Sequence, residues 1–244
     1  MILKNIRIVS GQVNKNKQMS SIKSTINRVV MPISTEGYSI IVFVAVLACV
    51  CSLISRVLAS IVFVILSLCV YFFRDPNRVI NDDEEVLVAP ADGTVDAIEK
   101  VSPPEELEMN EDIEWTRISI FLSVFNVHIQ RMPYDGKIKK LHYREGKFLN
   151  VSVDKYSKDN ERQSCVLEIE NNIQIPIVQI AGMVARRIVC NLNVGQEVKK
   201  GDKYGIIKFG SRVDIYLPDD IVPAVKVGQT MIAGESVIAK IKNN

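Results

Sequence analysis

The sequence predicts a mostly β (α+β) protein, a β domain preceded by an N-terminal hydrophobic helical hairpin. Three observations carry this. From Tyr38 to Phe73 the chain runs for 36 residues with a single charge, Arg56. Beyond it the apolar residues fall into short alternating or β-branched runs, VLVAP, GTVDAI, RISIFLSV, CVLEIE, IPIVQIAG and RRIVC, broken by Gly, Pro, Asn and Asp, which is the pattern of strands and turns. Finally, Val194-Gly195-Gln196-Glu197-Val198-Lys199-Lys200-Gly201-Asp202 recurs 33 residues later as Val227-Gly228-Gln229-Thr230-Met231-Ile232-Ala233-Gly234-Glu235. Each copy reads as a strand, a Gly turn and a strand.

Composition sets the organisation. A chain of 244 residues, 48% hydrophobic with mean hydropathy +0.15, suits one medium-sized domain plus a membrane segment. The net charge is +2, but residues 1–37 hold Lys4, Arg7, Lys15, Lys17, Lys23 and Arg28 against Glu36 alone, so the remainder is acidic. That balance does not suit a nucleic-acid binder. A basic arm directly before an apolar run suits an anionic, cytoplasmic membrane surface. The five cysteines show no CxxC spacing, and Cys49, Cys51 and Cys69 lie in the apolar run. A reducing compartment and no metal site follow.

One bilayer crossing needs about 20 residues. The run of 36 is therefore read as two helices around Ser55-Arg56, with Arg56 at the turn, a hairpin that is either shallow or fully spanning and in both cases returns the chain to the side from which it came. Two buried core helices are the alternative, but nothing else in the chain is apolar enough to surround helices hydrophobic on all faces. A secretory signal is excluded by the late start, the length and the absence of a small-residue cleavage pattern. Phe72-Phe73-Arg74-Asp75-Pro76-Asn77-Arg78 closes the segment with aromatics and interface cations, then a helix-ending Pro. The expected organisation is a basic arm over 1–37, a membrane hairpin over 38–73 and a catalytic β domain over 74–244. Residues 1–26 carry no assigned role beyond their charge.

Together with Ala89-Pro90-Ala91-Asp92-Gly93-Thr94-Val95, the repeat gives the β domain a barrel-sandwich-like character, similar to biotinyl and lipoyl carriers. A carrier or membrane adaptor domain is thus the rival function. Carriers present a modifiable Lys at a hairpin tip between two such halves, whereas Asp154-Lys155 lies in a polar stretch after both Pro-x-Asp-Gly segments, which disfavours that reading.

Lys208-Phe209-Gly210-Ser211-Arg212-Val213-Asp214 resembles a point at which a backbone cuts itself. For a serine hydroxyl to reach the carbonyl carbon of its N-terminal neighbour the backbone must be strained, and Gly210 has no Cβ to forbid this. Attack converts the Gly210–Ser211 amide into an ester. β-Elimination then releases the upstream chain, leaving a dehydroalanine that hydrolyses to a pyruvoyl group and ammonia. Such a ketone forms a Schiff base with an amine and withdraws electrons from its α-carbon, which makes loss of CO2 feasible. An isolated Gly-Ser pair is most often an ordinary turn, so the remaining motifs decide.

Those motifs are MPISTEGY, FFRDPNR, APADGTV, FNVHIQRMPYDG, GKFLNVSVDKYSKDNER, GMVARRIVC and KFGSRVDIYLP. In this order they resemble the short form of the phosphatidylserine decarboxylase proenzymes, over roughly Asn27 to Ile241. The resemblance implies a β subunit of residues 1–210 and an α subunit of residues 211–244 that stay associated as a heterodimer, open to higher oligomers. It implies a pyruvoyl cofactor made from Ser211, with no metal or diffusible cofactor. The substrate would be phosphatidylserine, converted to phosphatidylethanolamine and CO2 through a Schiff base at the cytoplasmic face of the cell membrane, with no nucleic-acid partner.

Self-cleavage needs a base for the Ser211 hydroxyl, and a His oriented by a carboxylate is the usual solution. His128 ends an apolar strand before a Pro-Tyr-Asp-Gly turn; His142, among charges, reads as a solvated strand residue. The family position favours His128. Long-form relatives carry a second His three residues on, where this chain has Arg131, so His128 is expected to serve both cleavage and decarboxylation. Asp92 reads on its own as a turn aspartate; the resemblance makes it the carboxylate that orients the histidine. Arg186 and Arg187 are candidates to hold the lipid phosphate or carboxylate with a planar guanidinium fork.

Overall fold

The structure, a computed structural model, describes residues 31–110, 112–146, 160–182, 187–208 and 211–242. It is mostly β with an N-terminal helical region, as the pattern of the chain predicts. The chain divides after Asn77 into two compact units.

In the first unit α1 (Tyr38–Ile54) and α2 (Arg56–Phe72) are joined by the single residue Ser55, whose extended backbone (φ −154°, ψ 130°) breaks the helix. Arg56 opens α2 beside this break. Ile40, Val44, Ala48 and Cys51 recur at helical spacing on α1 and pack with Val62, Leu66 and Cys69 of α2. Most of the remaining helical surface is apolar and exposed, Phe43 at 69% and Leu53 at 87% among it. Thr35–Ile54 is long and apolar enough to cross a membrane, and Arg56–Phe72 is a shorter apolar helix. The open end of the pair is closed by a bridge between Ile33 and Arg74, with the Ser34 N–H donating to the Phe73 carbonyl (2.8 Å).

The described residues of the second unit form fourteen strands: β1 (Val86–Val88), β2 (Gly93–Lys100), β3 (Thr116–Leu122), β4 (Ile129–Arg131), β5 (Gly136–Arg144), β6 (Arg162–Glu168), β7 (Gln174–Ala181), β8 (Arg187–Cys190), β9 (Glu197–Val198), β10 (Lys203–Lys208), β11 (Ser211–Leu217), β12 (Ile221–Pro223), β13 (Thr230–Met231) and β14 (Val237–Ile241). They build a curled eight-stranded sheet of order β13-β2-β3-β11-β7-β6-β5-β9 and two three-stranded sheets, β1-β14-β12 and β4-β10-β8. One face of β11 gives Val213, Ile215 and Leu217 to the main core; the other gives Tyr216 to a smaller cluster with Trp115, Val178 and Ile180. Period-two alternation places these two sets on opposite faces.

The strand pairing is symmetric. Exchanging β1, β2, β3, β7, β8, β9 and β10 for β4, β5, β6, β11, β12, β13 and β14 reverses the eight-stranded order and swaps the two small sheets. The exchange holds at the level of single hydrogen bonds. Gly195 donates to the Ile138 carbonyl (2.7 Å) as Gly228 donates to that of Val95 (2.8 Å), and Gly201 and Gly234 follow with φ of +84° and +80°. The Val194–Asp202 repeat is thus the visible part of a duplication that spans the whole β unit.

Each half also has a Pro-x-Asp-Gly turn whose glycine opens a strand under tight contact. A Cβ on Gly93 would lie 2.2 Å from the Phe121 carbonyl oxygen, and one on Gly136 would lie 2.3 Å from that of Glu168. Backbone atoms of a central strand cannot give way without breaking the ladder. Gly136→Ala, distant from the candidate site, is expected to lower unfolding free energy by about 2–3 kcal/mol or more in denaturant titration. An unchanged midpoint would show that β5 and β6 can separate at no cost.

Candidate active site

Ser211 is the first residue of β11 and sits between Leu122 of β3 and Ala181 of β7. Lys208, three residues earlier, ends β10 in a different sheet. Phe209 and Gly210, between these two strands in the chain, lie outside the described residues. Ser211 is fully buried on the core face, and among the described residues its Oγ has no hydrogen-bond partner. A buried hydroxyl left unpaired costs about 1–3 kcal/mol; Ser119 and Ser164 share this condition, and what sets Ser211 apart is its place at the start of β11, three residues after β10 ends in another sheet.

His128 immediately precedes β4 and is also fully buried. Its carbonyl accepts the Ile207 N–H (3.4 Å), which sets it level with the end of β10, close in the chain to Ser211. Its Nδ1 lies 2.9 Å from the Asn126 carbonyl oxygen. A carbonyl oxygen only accepts, so in the neutral ring the proton sits on Nδ1 and Nε2 carries the lone pair of a base. The turn that presents this carbonyl is itself pinned: Asn126 Oδ1 accepts from the Ser123 N–H (2.9 Å) and hydroxyl (2.7 Å).

Asp92 precedes Gly93 at the start of β2, the strand beside β3, at the same end of the sheet as Ser211. Its Oδ1 accepts the Ala233 N–H (2.9 Å), and its Oδ2 pairs with Arg78 Nη2 (2.7 Å), both side chains being largely buried. Arg78, expected among the interface cations, is instead a partner of the candidate carboxylate within the β unit. The other half of the domain clarifies Asp92. Its counterpart Asp135 accepts the Lys200 N–H through Oδ1 (2.6 Å), so the turn bond is common to both halves. At the counterparts of His128 and Ser211 stand Glu85 and Ile173. Among the described residues, one end of the sheet thus combines the turn aspartate with the imidazole of His128 and the Ser211 hydroxyl. The opposite end holds an open cleft of about 980 Å³ lined by Glu85, Asp135, Ile173 and Lys200, with no histidine in its lining.

Arg187 opens β8, exposed, opposite Lys208 on β10; Arg186 lies outside the described residues. Arg131 is buried and donates from Nη1 to the Gly201 carbonyl (2.9 Å). His142 lies on β5, three strands from β11 in the sheet. Among the described residues no three His, Cys, Asp or Glu side chains are grouped to hold a metal ion.

Two buried residues escaped the sequence reading. Asn160 donates from Nδ2 to the carbonyl of Ala181, the residue opposite Ser211 (2.9 Å). Glu161 accepts from the Tyr143 hydroxyl (3.1 Å) and the Ile188 N–H (3.3 Å), tying β5 and β8 to this end of the sheet. Their only signal was the KDNER stretch, which reads as a solvated charge run.

Comparison with known proteins places these residues in a family. Residues 65–239 match the family model described as phosphatidylserine decarboxylase. Proteins named phosphatidylserine decarboxylase proenzyme align from Rickettsia akari (47% identity over 207 residues, 85% of this chain and 89% of the relative) and from Ruegeria pomeroyi (48% over 211 residues, 86% and 96%). A third, from Wolbachia sp. subsp. Brugia malayi, is 44% identical over 209 residues, 86% of this chain and 91% of the relative. Matched over most of both lengths, the chain belongs to the phosphatidylserine decarboxylase family and is a carboxy-lyase.

Proposed function

We propose that the chain is a proenzyme that cuts itself between Gly210 and Ser211, and that the pyruvoyl group left at residue 211 decarboxylates phosphatidylserine to phosphatidylethanolamine. The observation that carries this is the place of Ser211, fully buried as the first residue of β11, three residues after the end of β10 in another sheet, with the buried His128 bonded to β10 at Ile207. In the cleavage, Ser211 Oγ attacks the Gly210 carbonyl carbon while its proton passes to Nε2 of His128 and on to the Ser211 nitrogen, which becomes the leaving amine. Loss of the Ser211 α-proton then expels the Gly210 carboxylate, and water releases ammonia.

The site fits the group so made. Residue 211 would be a chain end held at a fixed place by β3 on one side and β7 on the other, away from bulk water. The ketone supplies a covalent partner for the substrate amine and an electron sink as CO2 leaves. His128 then holds the proton that returns to the α-carbon, Asp92 and Arg78 fix the turn beside it, and Arg187, with Arg186, offers charge to the lipid head group. The fragments stay together as a heterodimer, because β11, β13 and β14 of the C-terminal piece are paired with β3, β7, β2 and β1 of the N-terminal one. The apolar helix pair keeps a lipid-cleaving enzyme on the cytoplasmic face of the cell membrane, where its substrate resides.

Intact mass of the purified protein tests this. The expected result is two chains, the smaller comprising residues 211–244 with a blocked, pyruvoyl N-terminus. One chain of full length in an active preparation would overturn the proposal.

A further inference from the structure

A buried chain of side-chain amides runs from the strand of His128 to the sheet of Ser211. Gln130, on β4, donates from Nε2 to the His128 carbonyl (2.7 Å), and Gln179, on β7, donates from Nε2 to Gln130 Oε1 (3.0 Å). Both residues are buried. Because a carbonyl oxygen only accepts, His128 fixes which end of the Gln130 amide faces it, and Gln130 Oε1 then fixes the Gln179 amide. Gln179 faces Val213 across the β7–β11 pair, two residues beyond Ser211 on the same face. It is therefore the diagonal cross-strand neighbour of Ser211, roughly 7–8 Å away.

The duplicated half shows what the fold alone needs at these positions. Gln130 faces Gly205 as Leu87 faces Ala239, and Gln179 faces Gln163 as Leu217 faces Thr116. The counterparts of the two glutamines are thus Leu87 and Leu217, both fully buried in the main core. Leucines satisfy the same pairing and packing without burying an amide. The glutamines carry a desolvation penalty that leucines do not, and among the described residues Gln179 Oε1 has no partner.

We propose that Gln130 and Gln179 are positioning residues for self-cleavage, holding the His128 backbone at a fixed height against the strand that begins with Ser211. This rests on the assignment of Ser211 and His128 as nucleophile and base; the glutamines act through His128.

The test is Gln130→Leu combined with Gln179→Leu in the full-length chain, which copies the residues of the other half. Cooperative unfolding should be retained, while appearance of the C-terminal fragment slows by about tenfold to a hundredfold, the usual result of misplacing a reacting group by a fraction of its bond reach. Gln130→Glu supplies a readout that a packing role would not move. A protonated glutamic acid can donate to the His128 carbonyl and accept from Gln179 as glutamine does, whereas a carboxylate cannot donate. Its cleavage rate, divided by the wild-type rate at the same pH, should climb towards one as pH falls from about 8 to about 6, where burial holds the carboxyl protonated. The division removes pH effects common to both proteins, and Tyr204 and Cys190, on the neighbouring strands β10 and β8, stay protonated there because burial pushes both pKa values up. A wild-type cleavage rate in the double leucine variant, or a ratio independent of pH in the glutamate variant, overturns the inference. So does a double variant that no longer unfolds cooperatively, since the pair would then serve folding. A wild-type chain that never cleaves itself is a separate result, which removes the assignment of Ser211 instead.

Discussion

Ser211→Ala is expected to yield one full-length chain with decarboxylation at the uncatalysed level, in a protein no less stable than the parent. The first part follows from the chemistry, because without the hydroxyl nothing attacks Gly210 and no ketone can form at residue 211. The second follows from the packing. Ser211 Oγ is buried on the core face with no hydrogen-bond partner among the described residues, so its removal deletes an unsatisfied polar atom and leaves a methyl group between Leu122 and Ala181. Relief of such a group contributes about 1–3 kcal/mol, and the chain also keeps its connectivity. A denaturing gel, intact mass and thermal unfolding check the three outcomes together. Two fragments of normal size would remove Ser211 as the nucleophile. A single chain that unfolds at a much lower temperature would make the loss of activity a folding effect.

The parts of this architecture legible in the sequence are those specified locally. The helix pair is legible because the apolar run is twice as long as one helix needs and breaks once, at Ser55-Arg56. The β character follows from β-branched runs and the Gly turns of the Val194–Asp202 repeat. The larger duplication is not legible, since outside that repeat the halves share little beyond Pro-x-Asp-Gly, and pairing such as Leu87 with Ala239 or Gln130 with Gly205 is set by contacts distant in the chain. The same distance hid much of the site. Arg78 stands next to an aromatic, basic stretch that reads as a membrane interface, and its bond to Asp92, 14 residues on, leaves no local trace. Gln130 and Gln179 look like ordinary strand residues, and only the leucines at their counterparts mark them as unusual. Ser211 and His128 became candidates because each sits in a motif, KFGSRVD and FNVHIQR, that resembles the family's; a Gly-Ser pair or a strand-end histidine alone would not have pointed there.

His128→Ala is expected to slow self-cleavage by about 10²- to 10⁴-fold, the usual contribution of a positioned general base. The geometry supports a base rather than a structural imidazole. The ring is fully buried, the Asn126 carbonyl engages Nδ1, and the pinned Ser123–Asn126 turn keeps that tautomer in place, leaving the basic lone pair on Nε2. Slow maturation of this variant also separates two roles that Ser211→Ala cannot, because a small processed fraction accumulates with time. Expressing residues 1–210 and 211–244 separately would not replace it, since a free N-terminal serine is not a ketone. In that processed fraction, phosphatidylserine decarboxylation is measured per pyruvoyl group, quantified chemically. A further loss per site is expected, because the α-carbon must regain a proton from a group beside residue 211, and no other histidine lies near: His142 is three strands away. A wild-type rate per pyruvoyl group would confine His128 to the cleavage step and leave water or a more distant group to return the proton.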